Sequence, residues 1–395
     1  MKLVLGIIVS LTTTCFSQSG DYQKRMEPID KFIAQKMKKS GIVGLGAAII
    51  VNDKLVWTKG YGYADKENGT PFTPKTIINI GSVSKNIVGA SLMRAVEDNL
   101  VSLDEDINHY LPFKVVNPFY PQEKITLRNL ATHTSGIYDR DSIYNSTYYF
   151  GGDSPENLGE FLKNYFDLNG KYYSQDNFLK VKPGSNKQYS NIGAGLTGYI
   201  IEVTSGEKFN EYSQRHIFKP LKMDDTGWFL SEIQLANHSK LYYQDGDSSG
   251  TIQLYGLATY PDGGLRTSVT DLSKFLTCIL NNGELDGVRI LKKESVEKML
   301  QPQFAPLNKP ENVDITKNNS GIFWSSSQSG TRIGHQGRDP GVNSILHYDS
   351  TKHCGVILFL NTGLEDQKGM NAFGAIYDEL WKYAYELRVE KPTSR

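Results

Sequence analysis

The chain has 395 residues, with 43 basic and 43 acidic side chains, so its formal net charge is zero. That length supports a sizeable core and, by size alone, about two to three domains. With neither a basic stripe nor an acidic tail, binding to DNA or RNA is not expected.

The first residues read as an export signal. Lys2 gives a positive start, Leu3 to Leu11 an apolar core, and Thr12-Thr13-Thr14 leads to Cys15-Phe16-Ser17. Small residues at Cys15 and Ser17 suit cleavage before Gln18, leaving residues 1–17 as the signal peptide and a periplasmic or secreted protein. The apolar run is too short for a membrane span. Lipid anchoring through Cys15 is disfavoured, because threonines precede it where a Leu and small apolar pair is usual. Cys278 then lies in a helical pattern and Cys354 in a strand run. Two cysteines in so long a chain make no disulfide framework and read as buried thiols.

Residues 18 to about 40 turn helical, with Ile29, Phe32, Ile33 and Met37 on one stripe. Two apolar runs, Val43 to Val51 and Leu55 to Tyr63, flank Asn52-Asp53, the signature of a β-hairpin. From Ser82 to about Gly250 strands are scarce. Helices are expected from Ser82 to Asn99, Pro155 to Phe166, Tyr189 to Glu202 and Asn210 to Phe218. Between them, residues 139–188 form a loop-rich segment carrying Tyr144, Tyr148, Tyr149, Tyr165, Tyr172 and Tyr173. Thr270 is the expected N-cap of a helix reaching Asn281. Strands return at Gly321–Trp324, Ile333–His335, Val342–Tyr348 and Cys354–Leu360, before an amphipathic helix with Phe373, Ile376, Tyr377, Leu380, Trp381 and Ala384. Strands at both ends with helices between predict one sheet built from the first and last thirds, and a helical second lobe.

Three short stretches carry chemistry. Gly81-Ser82-Val83-Ser84-Lys85 sits where an extended run becomes a helix, so Ser82 is expected as its first residue, with free backbone N–H groups around it. Lys85, three residues on, falls on the same face. A serine hydroxyl is a weak nucleophile until a neighbour takes its proton, and S-x-x-K is a spacing with that mechanism attached. Alone, the same letters also describe a capping serine and a solvated lysine. Tyr189-Ser190-Asn191 heads another helix. The phenol becomes a base if a cation lowers its pKa from about 10, and Asn191 offers an amide to hold a lysine or a substrate carbonyl. His335-Gln336-Gly337 lies on a strand, where the glycine admits close approach of a ligand or another backbone. No histidine pair has metal-ligand spacing with a third ligand, so zinc is not inferred, and His133 reads as a turn-forming loop residue.

Taken in order, Ser82-Val83-Ser84-Lys85, Tyr189-Ser190-Asn191 and His335-Gln336-Gly337 resemble the three motifs of the serine β-lactamase-like, penicillin-recognising enzymes, in their class C branch. That branch includes D-Ala-D-Ala carboxypeptidases, D-aminopeptidases and esterases. His133-Thr134-Ser135-Gly136, Pro183-Gly184, Gly263-Gly264-Leu265-Arg266-Thr267-Ser268 and Pro340-Gly341 fit as well, so the resemblance spans roughly residues 27 to 385. It implies an α+β fold of the β-lactamase/transpeptidase type: an antiparallel sheet flanked by helices, with a mainly helical second lobe. Within a single hydrolase domain at 18–395, the sheet lobe would take about 18–81 and 262–390, and the helical lobe about 82–261.

The resemblance also implies roles. Ser82 would be the acylated nucleophile. Lys85 would accept its proton or keep Tyr189 acidic, and Tyr189 would be general base and then general acid. Asn191 would position Lys85 and the substrate amide. The N–H groups of Ser82 and Arg338, just after Gly337, would form the oxyanion hole. No metal or organic cofactor is implied. β-Lactamases of this branch usually carry Lys-Thr-Gly at the third motif, and His335-Gln336-Gly337 replaces that cation and its adjoining hydroxyl. The expected activity is therefore an exported serine hydrolase acting on a small ester or a D-amino-acid-type amide, a small molecule or peptide. A β-lactamase and a non-catalytic binding protein are the alternatives. Arg338 is a substitute partner for a substrate carboxylate, unless Asp339 pairs with it.

Overall fold

The computed structural model describes residues 14–246, 248–326 and 331–388, with side chains from Met26 onward. Of the expected signal peptide, residues 1–13 lie outside the described residues, and 14–17, Cys15 included, are described only as helical backbone.

The elements that position the site are, in chain order, α1 (Thr14–Ser40), β1 (Gly44–Val51), β2 (Lys54–Asp65), β3 (Thr70–Pro71), β4 (Ile78–Asn79), α2 (Ser84–Glu97), α3 (Leu158–Phe166), α4 (Asn191–Ser205), β5 (Arg266–Thr267), α5 (Val269–Leu280), β6 (Ser325–Ser326), β7 (Arg332–Asp339), β8 (Val342–Asp349), β9 (Cys354–Leu360) and α6 (Gln367–Arg388). The main sheet has seven strands in the order β6-β7-β8-β9-β1-β2-β3, every described pair antiparallel. Strands from the two ends of the chain meet where β1 pairs with β9, Leu45 opposite Leu360. The fold is α+β, as the sequence pattern predicts.

β1 and β9 are buried on both faces, which is why both read as unbroken apolar runs. Leu45, Ala47, Ile49, Val356 and Leu358 turn to one face, where Met26, Ile29 and Ile33 of α1 and Ile376, Leu380 and Trp381 of α6 cover them. Ala48, Ile50, Ile357 and Phe359 turn to the other, against a larger core that contains Leu272, Phe275 and Leu276 of α5 and extends into α2 and α4. The β1–β2 turn has both Asn52 (φ 50°) and Asp53 (φ 59°) in the left-handed region, the geometry that selects such residues in a two-residue hairpin.

The starts of α4 and α5 follow side-chain caps. Ser190 caps α4 by accepting from Gly193 N at 2.9 Å, and Gly206 (φ 74°) ends it with its N–H on Glu202 O. Ser268, not Thr270, caps α5 through Asp271 N at 3.1 Å. Thr270 Oγ1 donates instead to Pro74 O. The run Gly321–Trp324 is not a strand. Phe323 (φ 55°) folds it into a buried turn, Gly321 N donating to Trp324 O, with Ile322 N on Met299 O and Phe323 N on Ala131 O. Cys278 and Cys354 are buried free thiols, each pushed up to about 12 by burial.

Three buried histidines and the half-buried His238 titrate well below an exposed imidazole. Burial is the largest cause for each: His238 and His335 fall to about 3, His347 to about 4, and His133 well down. Unfolded, they would titrate near ~6.5. Below that pH the unfolded chain binds more protons, so their stabilising contribution is complete above ~6.5 and is lost as pH falls toward the folded values. Asp139 and Asp339, raised chiefly by burial to about 6 and about 7, act oppositely: their contribution is lost as pH rises through those values. With the histidines outweighing the raised carboxylates, the melting temperature is expected to drop between about pH 7 and about pH 4.5. Thermal melts across that window check it, and a flat profile would show that the two sets cancel.

Candidate active site

The short strand β4 runs into the turn that carries Ser82. Ile78 and Asn79 pair with Thr267 and Arg266 of β5, and Ile80 N donates to Leu265 O at 3.0 Å. Gly81 (φ 51°) then kinks the chain into a single 3-10 turn, Gly81–Val83, so Ser82 precedes α2 rather than opening it. Ser84 fixes this kink, donating to Gly81 O at 2.6 Å and accepting from Leu265 N at 3.1 Å. At the head of a helical turn the Ser82 N–H has no intrahelical acceptor and points outward.

Lys85, with no exposed surface, donates three hydrogen bonds: to Ser82 Oγ at 3.1 Å, Asn191 Oδ1 at 2.8 Å and Asp262 O at 2.6 Å. An ammonium has three N–H groups, so all are used. Its Nζ also lies 4.9 Å from the centre of the Tyr189 ring. Tyr189 Oη is 2.8 Å from Ser82 Oγ. Ser82, Lys85, Tyr189 and Asn191 therefore meet in one place from positions more than a hundred residues apart. Crowding raises the Tyr189 phenol, while Lys85 and the contact with Ser82 pull it down. Burial is the largest cause and leaves the phenol above its ordinary value, with Lys85 as the main opposing influence.

β7 closes the other side. A Cβ on Gly337 would stand 2.2 Å from Ile80 O and 3.1 Å from Ser82 N, so only glycine lets β7 lie against the Ser82 turn. A Cβ on Gly81 would in turn stand 3.3 Å from Arg338 N. The backbone at 337–338 thus runs alongside residues 80–82, bringing the Ser82 and Arg338 amides into one neighbourhood. His335 is nearly buried, its ring 6.0 Å from that of Tyr189. Its Nδ1–H donates to Gln336 O at 2.7 Å, which leaves Nε2 as an acceptor. Burial first, then the charge of Lys85, holds it neutral. The Arg338 side chain pairs with Glu365 at 2.7 Å and not with its neighbour Asp339, which instead accepts from Tyr148 Oη at 2.8 Å.

The structure adds residues the motifs do not reveal. Asp139 accepts from Ser190 Oγ (2.6 Å), Asn191 N (2.5 Å) and Ile192 N (3.2 Å), anchoring the start of α4. His133 (φ 58°) is more than a turn residue. Its ring packs at a tilt against that of Tyr189, centroids 4.4 Å apart, and its Nδ1 accepts from Ser190 N. Asp262 holds Lys85 by its carbonyl and accepts from Tyr144 Oη at 2.9 Å. In the tyrosine-rich segment only Tyr144 and Tyr148 bond these carboxylates, whereas Tyr165 is core and Tyr149 is exposed. No sequence spacing marks Asp139, Asp262 or Asp339; each has a glycine within three residues, where an aspartate reads as a turn former. Among the described residues no group of histidine, cysteine and carboxylate side chains could hold a metal ion, and no helix is long and apolar enough to cross a membrane.

A beta-lactamase family profile matches residues 29–379. Putative beta-lactamase-like 1 of Homo sapiens is 26 % identical over 294 residues, covering 72 % of this chain and 54 % of that protein. Putative penicillin-binding protein PbpX of Bacillus subtilis (strain 168) is 27 % identical over 271 residues, covering 68 % and 61 %. The chain thus spans less than two thirds of these curated relatives. Among solved structures, the octameric penicillin-binding protein homologue from Pyrococcus abyssi superposes with a TM-score of 0.69 at 25 % identity, over 90 % of this chain and 76 % of that one. D-amino acid amidase from Ochrobactrum anthropi SV3 gives 0.71 at 22 % identity over 93 % and 99 %, a likeness of fold.

Asp139 is the acceptor on which the start of α4 depends. Asp139→Ala is expected to lower stability by about 1–3 kcal/mol, since it strands three donors, with Asp139→Asn in between. Urea denaturation checks this, and an unchanged midpoint would show that α4 starts correctly without it.

Proposed function

Because the chain belongs to the beta-lactamase family, whose profile spans residues 29–379, we propose that it is a serine hydrolase working through an acyl-enzyme on Ser82. One observation carries this: Ser82 Oγ lies within hydrogen-bonding reach of both Tyr189 Oη and Lys85 Nζ. Ser82 Oγ attacks the substrate carbonyl and passes its proton to Tyr189, whose phenolate form the adjoining Lys85 favours. The new oxyanion takes the N–H groups of Ser82 and Arg338; one such donor is typically worth about 2.7–4 kcal/mol. Tyr189 returns the proton to the leaving group, then takes one from the water that attacks the acyl-enzyme. Asn191 holds Lys85 in place for both halves. The sheet and the helical portion form the two walls of the groove. The chain works after export, in the periplasm or outside the cell.

The substrate is a small ester or a D-amino-acid-type amide rather than a β-lactam. Neither group on β7 that would meet a substrate carboxylate offers a free cation: His335 is neutral, and Arg338 is paired with Glu365. Purified protein should turn over p-nitrophenyl esters or D-aminoacyl amides faster than a chromogenic cephalosporin. The reverse order would make it a β-lactamase.

Ser82→Ala should abolish turnover and fluorophosphonate labelling while leaving the melting temperature nearly unchanged. Retained activity would remove Ser82 from the reaction, and a wild-type protein that takes no label would be a binding protein on this fold. Lys85→Met and Tyr189→Phe should each cost on the order of 10³-fold or more in kcat, and the double variant little beyond either, since such groups act as a unit. Losses that multiply would mean the two work separately.

A further inference from the structure

The stretch His133-Thr134-Ser135-Gly136 has no part in the reaction as written, yet its first residue is packed into the site. His133 is 3 % exposed and holds the left-handed backbone conformation (φ 58°), which is uncommon outside glycine. In that conformation its carbonyl and its ring both face the segment that carries Tyr189. Gln188 N–H donates to His133 O at 2.8 Å, and Ser190 N–H donates to His133 Nδ1 at 3.3 Å. Between those two contacts lies Tyr189, its ring tilted 37° against the imidazole with centroids 4.4 Å apart. Gly184 N donates to Thr134 O at 2.7 Å, so the loop meets the same segment a third time. Tyr189 precedes the N-cap of α4, and the helix ladder itself does not hold it.

We propose that His133 is the positioning residue of the general base: it keeps the Tyr189 hydroxyl at Ser82 by holding the chain on both sides of Tyr189 and packing its ring against the phenol, a role that rests on the hydrolysis proposed above. Its contacts are with Tyr189 and the neighbours of Tyr189, so it acts through the phenol. Because Nδ1 accepts, the neutral ring carries its proton on Nε2. Nε2 has no partner among the described residues, so the contact with Ser190 N–H is the hydrogen bond that orients the ring. Phe323 meets the ring edge-on, centroids 5.8 Å apart, and Asp139 holds the same Ser190 through its hydroxyl at 2.6 Å. A proton on Nδ1 would set two N–H donors against each other and release Ser190. Burial first, then Lys85, with His335 and Lys187 adding to it, keeps that proton away.

Two replacements separate the parts of this hold, with p-nitrophenyl acetate as substrate and melting curves showing that each variant is folded at the assay temperature. His133→Asn tolerates the left-handed backbone and sets Oδ1 where Nδ1 stands, so it should keep most of the wild-type kcat. His133→Phe keeps a ring against Tyr189 but offers Ser190 no acceptor. Its kcat should fall by on the order of 10²-fold, as a small misplacement does, with KM changed far less. Equal losses in the two variants, or an unchanged kcat in His133→Phe, overturn the proposal. A second measurement is independent of activity. With the imidazoles labelled with nitrogen-15, the signals missing from His133→Asn should belong, in the wild type at neutral pH, to a neutral ring protonated at Nε2. A ring protonated at Nδ1 overturns the proposal even where His133→Phe does not fold. If no ester is cleaved and Ser82 takes no label, the hydrolase reading fails, and the tautomer still decides whether His133 holds the Tyr189 segment.

Discussion

The site is built around the amino group of Lys85. Its three N–H groups reach three separate parts of the chain: the nucleophile turn, the first residue of α4 and the carbonyl of Asp262. A buried cation is tolerated only where every donor is satisfied, so each of those segments must be placed before Lys85 is comfortable. Ser84 and Ser344 hold the nucleophile turn from either side, by Gly81 O and Ile80 O. Asp139 holds the start of α4. The geometry at Ser82 follows from these supports rather than from the motif alone.

The chemistry on β7 also differs from a cationic strand. A second positive group beside Lys85 would meet its repulsion. His335 avoids this by staying neutral, and its proton is fixed on Nδ1 by Gln336 O. Arg338 turns its guanidinium outward to Glu365 and leaves only its backbone near Ser82. Carboxylates, not cations, fill the space behind the turn.

Much of this was legible in the sequence where local chemistry decides. The hairpin at Asn52-Asp53, the buried strand Cys354–Leu360 and the reactive motifs all follow from periodicity or from residue types with few other uses. Ser82 before the helix was misread as its first residue, because the kink depends on Gly81 lying against β7, a contact remote in sequence. Thr270 had the right chemistry for a cap, but Pro74 O claimed its hydroxyl. Gly321–Trp324 is as apolar as a strand and bonds to 131 and 299 instead. The aspartates at 139, 262 and 339 were illegible for one reason: a carboxylate's role is set by what burial brings to it, and no spacing records that.

The pairing of β1 with β9 has a consequence for how the protein comes to be active. Ser82, Lys85 and Tyr189 all leave the ribosome well before β7, β8 and β9 do, yet the strand that backs the nucleophile turn hydrogen-bonds to β8, and β8 to β9. Such distant pairings close slowly, after the entropy of a long loop has been overcome. A partly synthesised chain therefore carries the Ser82 turn without the strand that backs it, and the pocket around that turn is complete only once the last third of the chain has paired.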